Sequence, residues 1–173
     1  MLTISIAPVP ADVPGLALTV AKMRLEHLAA FGNTPPSRHG EGGMGPDDLN
    51  LDALGGPVSL ALPLSQGIYS RVEFEFQDVT IEGTWRGTPF RARLAGFAGR
   101  KVDLPATPQE LRSDLPPVTF ALSVDVGSWF TGTDGPLLDA ATASNGEIVC
   151  DDQSNTAISV ALTDGVARSF SVR

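Results

Sequence analysis

The sequence predicts an all-β protein, an antiparallel β-sandwich, and three observations lead there. Apolar and polar residues alternate strictly in two segments, Tyr69 to Phe76 and Val118 to Val126, the period of a half-buried strand. Turn signals recur along the whole chain, with 18 Gly and 14 Pro in 173 residues. No long succession of alternating helical and strand patterns appears, which argues against a parallel α/β sheet.

In order along the chain, Leu2 to Ala7 reads as an opening strand. Leu16 to Phe31 is ambiguous: Ala, Lys, Met, Arg, Leu and Glu favour a helix by propensity, yet the same residues also fit a two-residue period. Gly32 to Asp48 holds five Gly and three Pro in seventeen residues and reads as a long surface loop. Val58 to Leu62 is a short strand. In Tyr69 to Phe76, Val72, Phe74 and Phe76 oppose Arg71, Glu73 and Glu75. Val79 to Trp85, the pair Arg86-Gly87 and Thr88 to Leu94 form a hairpin, with Gly87 supplying the positive φ of a tight turn. Arg100 to Leu104 is a further short strand, and Ala106 to Pro117 a Pro-rich loop around a short helical candidate, Pro108 to Arg112. Val118 to Val126 follows as a strand. At the C-terminal end, Ala157 to Leu162, the turn Asp164-Gly165 and Val166 to Val172 read as a second hairpin, because Asp-Gly between apolar runs is a hairpin signal. The expectation is one β-sandwich domain over residues 1–173 with at most one or two short helices.

Twelve basic residues against 20 acidic ones give a net charge of −8 and a pI near 4.6. Nucleic acid is thereby disfavoured as a partner, since phosphate-backbone affinity needs a surplus of Lys and Arg. A single cysteine, Cys150, excludes an internal disulfide. No apolar run reaches the ~20 residues of a membrane-spanning helix, and the opening residues lack a signal-peptide pattern.

One element carries a resemblance. Gly67-Ile68-Tyr69-Ser70-Arg71-Val72-Glu73-Phe74, preceded by Leu64-Ser65-Gln66 and followed much later by Ser128-Trp129-Phe130, resembles the Gly-x-Tyr-x-x-Val-x-Phe element of transthyretin-like (prealbumin-like) domains in exported bacterial lipoproteins. It is similar, more distantly, to periplasmic MbnP-like proteins associated with copper handling. The resemblance spans Leu16 to Phe130. It implies a transthyretin/immunoglobulin-like sandwich, a strand at Leu16 to Phe31, and a precursor with an export or lipoprotein signal, hence a lipid anchor and an extracytoplasmic location. The chain departs from the copper-associated pattern in having only His27 and His39, so no His-rich site carries over.

Candidate sites follow from residue chemistry. His39, Glu41 and Met44 in the Gly-rich loop, with His27, combine imidazole, carboxylate and thioether, a donor set for copper; a loop of this kind equally displays its polar residues to water. Asp47, Asp48, Asn50 and Asp52 imitate the start of a calcium loop, but Ala53 stands where such a loop needs Gly, and alternating Leu49 and Leu51 suit a short strand better. Thr131-Gly132-Thr133-Asp134-Gly135 with Asp139, and Asp151 and Asp152 close in sequence, offers oxygens to calcium or is simply a turn. Cys150 beside two aspartates has the wrong electrostatics for a nucleophile. Ser65 and Ser128 lack a nucleophile elbow. Glu73 and Glu75 share a strand face, as a glycosidase pair would, and as solubilising residues do. Trp129 and Phe130 are assigned to packing, and Trp85 with Arg86 at a hairpin tip to a partner surface. The leading expectation is a non-enzymatic exported binding or structural domain, with protein partners or self-association through open strand edges. A periplasmic copper- or calcium-binding accessory protein is the alternative, and a carboxylate hydrolase the third reading.

Overall fold

The computed structural model describes residues 1–32, 49–94 and 100–173. Strand β1 (Leu2–Val9) alternates buried Leu2, Ile4 and Ile6 with small polar residues. It lies inside a four-stranded sheet, between β4 (Val58–Leu62) and β8 (Val118–Asp125), with β13 (Phe170–Val172) beyond β8. This first sheet is mixed: β1 runs antiparallel to β4 but parallel to β8, with Leu2 opposite both Leu62 and Val118.

The second sheet is organised by β5 (Gly67–Trp85). One edge of β5 pairs with β2 (Leu16–Phe31), which in turn pairs with β3 (Leu49–Asp52). The other edge is shared by two partners in succession, β7 (Arg100–Leu111) along residues 67–76 and β6 (Thr88–Arg93) along residues 80–85. A strand of nineteen residues serves both because β2·β5 carries three register shifts, and such bulges bend a strand and sharpen its twist. Beyond β6, β12 (Glu147–Cys150) pairs parallel to it and β11 (Ala143–Ser144) antiparallel to β12. A small hairpin, β9 (Thr131–Gly132) and β10 (Gly135–Pro136), stands apart.

The two sheets meet through aromatic rings. Phe74 and Phe76 of β5 lie 4.7 and 5.7 Å, centroid to centroid, from Phe170 of β13, a tilted geometry worth about 1 kcal/mol per pair beyond area burial. Trp129 and Phe130, on a 3₁₀ turn at Gly127–Phe130, are fully buried and close one end of the core, where Phe130 meets Phe90 edge-on at 6.0 Å. Tyr69 closes another end: its hydroxyl donates to the Ser65 carbonyl at 2.9 Å, the device of a tyrosine corner. Burial raises the Tyr69 pKa.

The all-β sandwich is therefore the fold, and among the described residues β1·β8 and β6·β12 are parallel pairs amid antiparallel ones. Leu16 to Phe31 is strand, against its helical propensity, because pairing with β3 and β5 buries Ala21, Met23, Leu25 and Ala30 on one side. The hairpin at Arg86-Gly87 stands, both residues having positive φ, 49° and 83°.

Two local expectations are overturned. Pro108 to Arg112 is not helical: β7 continues to Leu111, so only residues 112–117 remain outside strands. Both Pro105 and Pro108 are tolerated because, among the described residues, β7 pairs with β5 alone and its other edge needs no N–H. The C-terminal hairpin is replaced by α1 (Thr156–Arg168), and Asp164-Gly165 lies inside it. Ile158, Leu162, Gly165 and Val166 recur at helical spacing and are buried. Gly165 is needed for contact, not for a turn: a Cβ there would stand 2.8 Å from the Trp129 carbonyl oxygen and 2.9 Å from its Cα.

Candidate functional site

The two sheets present very different surfaces. On the second sheet, the face away from the core is laced with ion pairs: Arg24 with Asp78 at 2.7 Å, Arg71 with Asp103 at 3.3 Å, Arg91 with Glu147 at 3.5 Å, and Lys101 with Glu73 and Glu75 at 3.7 and 3.1 Å. On the first sheet the corresponding positions carry the exposed carboxylate of Asp125 and the larger Val9 at one end, and the rest are small and uncharged. They are Thr3, Ser5 and Ala7 on β1, Ser59 and Ala61 on β4, Thr119, Ala121 and Ser123 on β8, and Ser171 on β13.

Register turns these residues into a flat grid. Thr3 stands between Ala61 and Thr119, Ser5 between Ser59 and Ala121, and Ser123 between Ala7 and Ser171. Ser123 and Ser171 share a hydroxyl hydrogen bond of 2.8 Å, and Ser59 donates to Ser5 at 3.4 Å. Asp125, at the end of β8, is exposed, its Oδ1 accepting from the Gly127 and Ser128 N–H groups. The grid ends at β4, the terminal strand of its sheet. Val58 to Leu62 carries neither charge nor proline, whereas β7 carries two prolines and β13 and β3 are three and four residues long. Among the described residues, β4 is thus the edge strand of these four that lacks the usual protections against pairing.

The sequence-derived candidates fall as follows. His39, Glu41 and Met44, with Asp47 and Asp48, lie outside the described residues. His27 is exposed, at φ 52° within the bulge between Glu26 and Ala29. Asp52 and Asn50 point outward from β3 while Leu49 and Leu51 are buried, the strand reading of that segment. Asp134 is exposed beside the β9–β10 turn, and Asp139 is engaged by Arg86 at 2.9 Å. Among the described residues, no three His, Cys, Asp or Glu side chains come together as a metal-binding group.

Trp85 is not a surface residue: it is 5% exposed and lies beneath Arg86, whose guanidinium sits 4.9 Å from the ring centroid. The hairpin tip folds back because Arg86 is also held by Asp139. Glu73 and Glu75 are bridged by one ammonium, which raises the Lys101 pKa, the Glu75 hydrogen bond first and the charges of both glutamates after it. Cys150 is fully buried, and burial, then the Asp151 charge, pushes its thiol up to about 11. A thiol so protonated is no nucleophile at neutral pH.

The uncharged grid had a sequence signal, the alternation of Thr, Ser and Ala with large apolar residues in β1 and β8, but only pairing shows that four such strands are neighbours. The chain matches no family model, no curated protein and no solved structure.

Proposed function

We propose that this protein is a non-enzymatic binding or structural domain that engages a protein partner, or another copy of itself, through the uncharged grid and open β4 edge of its first sheet. The observation that carries this reading is the contrast between the two sheet faces. A chain of net charge −8 repels acidic neighbours, and the Ser/Thr/Ala grid is where that repulsion is weakest and close backbone approach easiest. Ion pairs as exposed as Arg24–Asp78 and Arg71–Asp103 are worth roughly 0–1 kcal/mol each, so they mark a face kept in water. From the resemblance of the Gly67 to Phe74 element to transthyretin-like domains we further propose that it belongs to a bacterial surface or periplasmic lipoprotein.

Site-specific photo-crosslinking in the native host tests it. A photoreactive residue at Thr119, on the grid, is expected to give discrete adducts, and one at Asp103, on the charged face, none. Adduct mass separates a second copy from another protein. Equal labelling at both positions, or no adduct at Thr119, overturns the reading. Fractionation of the same cells tests the extracytoplasmic assignment, which a cytoplasmic pool would refute.

A further inference from the structure

We propose a second site, remote from the uncharged grid in chemistry and in residues: the cleft beside α1 binds a small molecule with one carboxylate and an apolar tail. The helix is two-sided. While Ile158, Leu162, Gly165 and Val166 face the core, Thr156, Ser159, Val160 and Thr163, at spacings of three and four, line a cleft of about 570 Å³. Its other walls are Arg93 at the end of β6, Arg100 at the start of β7, and Asp151 and Asp152 after β12. That volume falls in the roughly 300–1,000 Å³ range of small-molecule sites.

Three features inside the cleft lack a protein counterpart. Ser159 lines the cleft with a hydroxyl that no other described residue engages, while its carbonyl accepts from Thr163 Oγ1 at 2.8 Å. Arg93 forms no ion pair with the described residues, whereas Arg100 is held by Asp164 at 2.7 Å. Val160 is 57% exposed, a large aliphatic left open on the helix. A carboxylate satisfies the first two, taking a bidentate pair of N–H bonds from Arg93 and one O–H bond from Ser159, and an alkyl tail covers the third.

Charge limits the ligand further. The N-terminal half of α1 favours an anion, but Asp151 and Asp152 share the cleft. Asp151 is occupied by its own turn, with Oδ1 accepting from the Gln153 and Ser154 N–H groups, and both acids oppose a second negative charge on the ligand. A monocarboxylate therefore fits better than a phosphate dianion.

Titration of the full, ¹⁵N-labelled chain with hexanoate, followed by amide chemical shifts, tests the site. Saturable shifts are expected at Thr156, Ser159, Val160 and Thr163, with affinity reduced about tenfold or more in Arg93→Gln and several-fold in Ser159→Ala, while the amide spectrum reports that each variant is folded. Hexan-1-ol, which has the tail without the charge, is expected to leave these amides in place. Non-saturating shifts, unchanged affinity in Arg93→Gln, or inorganic phosphate binding as tightly as hexanoate overturns the proposal. Adducts at Thr119 test the sheet face independently, so either conclusion can fail without the other.

Discussion

Gly165→Ala sets helix propensity against packing and reads out the sign of the difference. In an isolated helix, alanine is favoured over glycine by about 1 kcal/mol, so a helix whose only need was to be helical would gain stability. In this fold the added Cβ meets three backbone atoms, the Trp129 oxygen at 2.8 Å, the Trp129 Cα at 2.9 Å and the Ser128 oxygen at 3.1 Å. Ordinary carbon contacts need roughly 3.5–4.0 Å, and backbone in a 3₁₀ turn that also fixes buried Trp129 cannot swing aside as a side chain would. Relief requires α1 to move outward by several tenths of an ångström or more, loosening Ile158, Leu162 and Val166 together. Overpacking costs about 1–3 kcal/mol, and three close backbone atoms put this site in the upper part of that range, about 2–3 kcal/mol. Set against the propensity gain, a net loss of about 1–2 kcal/mol is expected, a fall of about 3–6 °C in Tm for a chain this long. Thermal and urea unfolding followed by tryptophan fluorescence and far-UV circular dichroism measure it. A variant as stable as the parent, or more stable, would refute the close-contact argument and return α1 to a loosely docked helix.

Two further outcomes are expected. Asn155→Ala removes a side chain that donates to the Thr142 and Val149 carbonyls and accepts from the Thr142 N–H, at a residue with φ 48°; a loss of about 2–3 kcal/mol is expected from the urea midpoint, with Asn155→Gly recovering only the backbone part. For Cys150, the folded thiol is raised from 9.0 to about 11, so the folded state keeps a proton that the unfolded chain releases. Its contribution is complete below 9.0 and is lost as pH rises toward about 11, at up to roughly 1.4 kcal/mol per pH unit. Urea midpoints of the parent should fall more steeply across that window than those of Cys150→Ala, and parallel curves would contradict the burial argument.

Much of the fold was legible where one physical signal dominated. The alternation of Val72, Phe74 and Phe76, or of Val118, Phe120, Leu122 and Val124, reports a buried sheet face directly, and Arg86-Gly87 marks its turn through backbone sterics. Legibility failed where two signals shared the same residues. Asp164-Gly165 satisfies hairpin chemistry and also a helix that needs a missing Cβ, and only the position of Trp129 decides between them. Ile158, Leu162 and Val166 at spacing four were the overlooked helical signal. In β2, propensity pointed to helix and tertiary pairing prevailed. For the site, the residues on each strand of the uncharged grid were readable, but their neighbours are not: β1 meets β8 across more than a hundred residues. Trp85 looked like a hairpin-tip anchor because sequence does not show Arg86 folding over it.

That long-range pairing also sets a timetable for synthesis. β1 sits in the interior of its sheet, and its parallel partner begins only at Val118. At roughly 5–20 residues per second on the ribosome, Leu2, Ile4 and Ile6 wait several seconds or more before β8 emerges. Until then β4 is the available partner, since Leu62 is made far earlier. The two form a two-stranded ribbon that is marginal in water and carries its apolar row uncovered. A holding chaperone has its clearest target in that interval, and synonymous changes that slow translation between residues 62 and 118 would lengthen it, lowering yield without altering a single atom of the native protein.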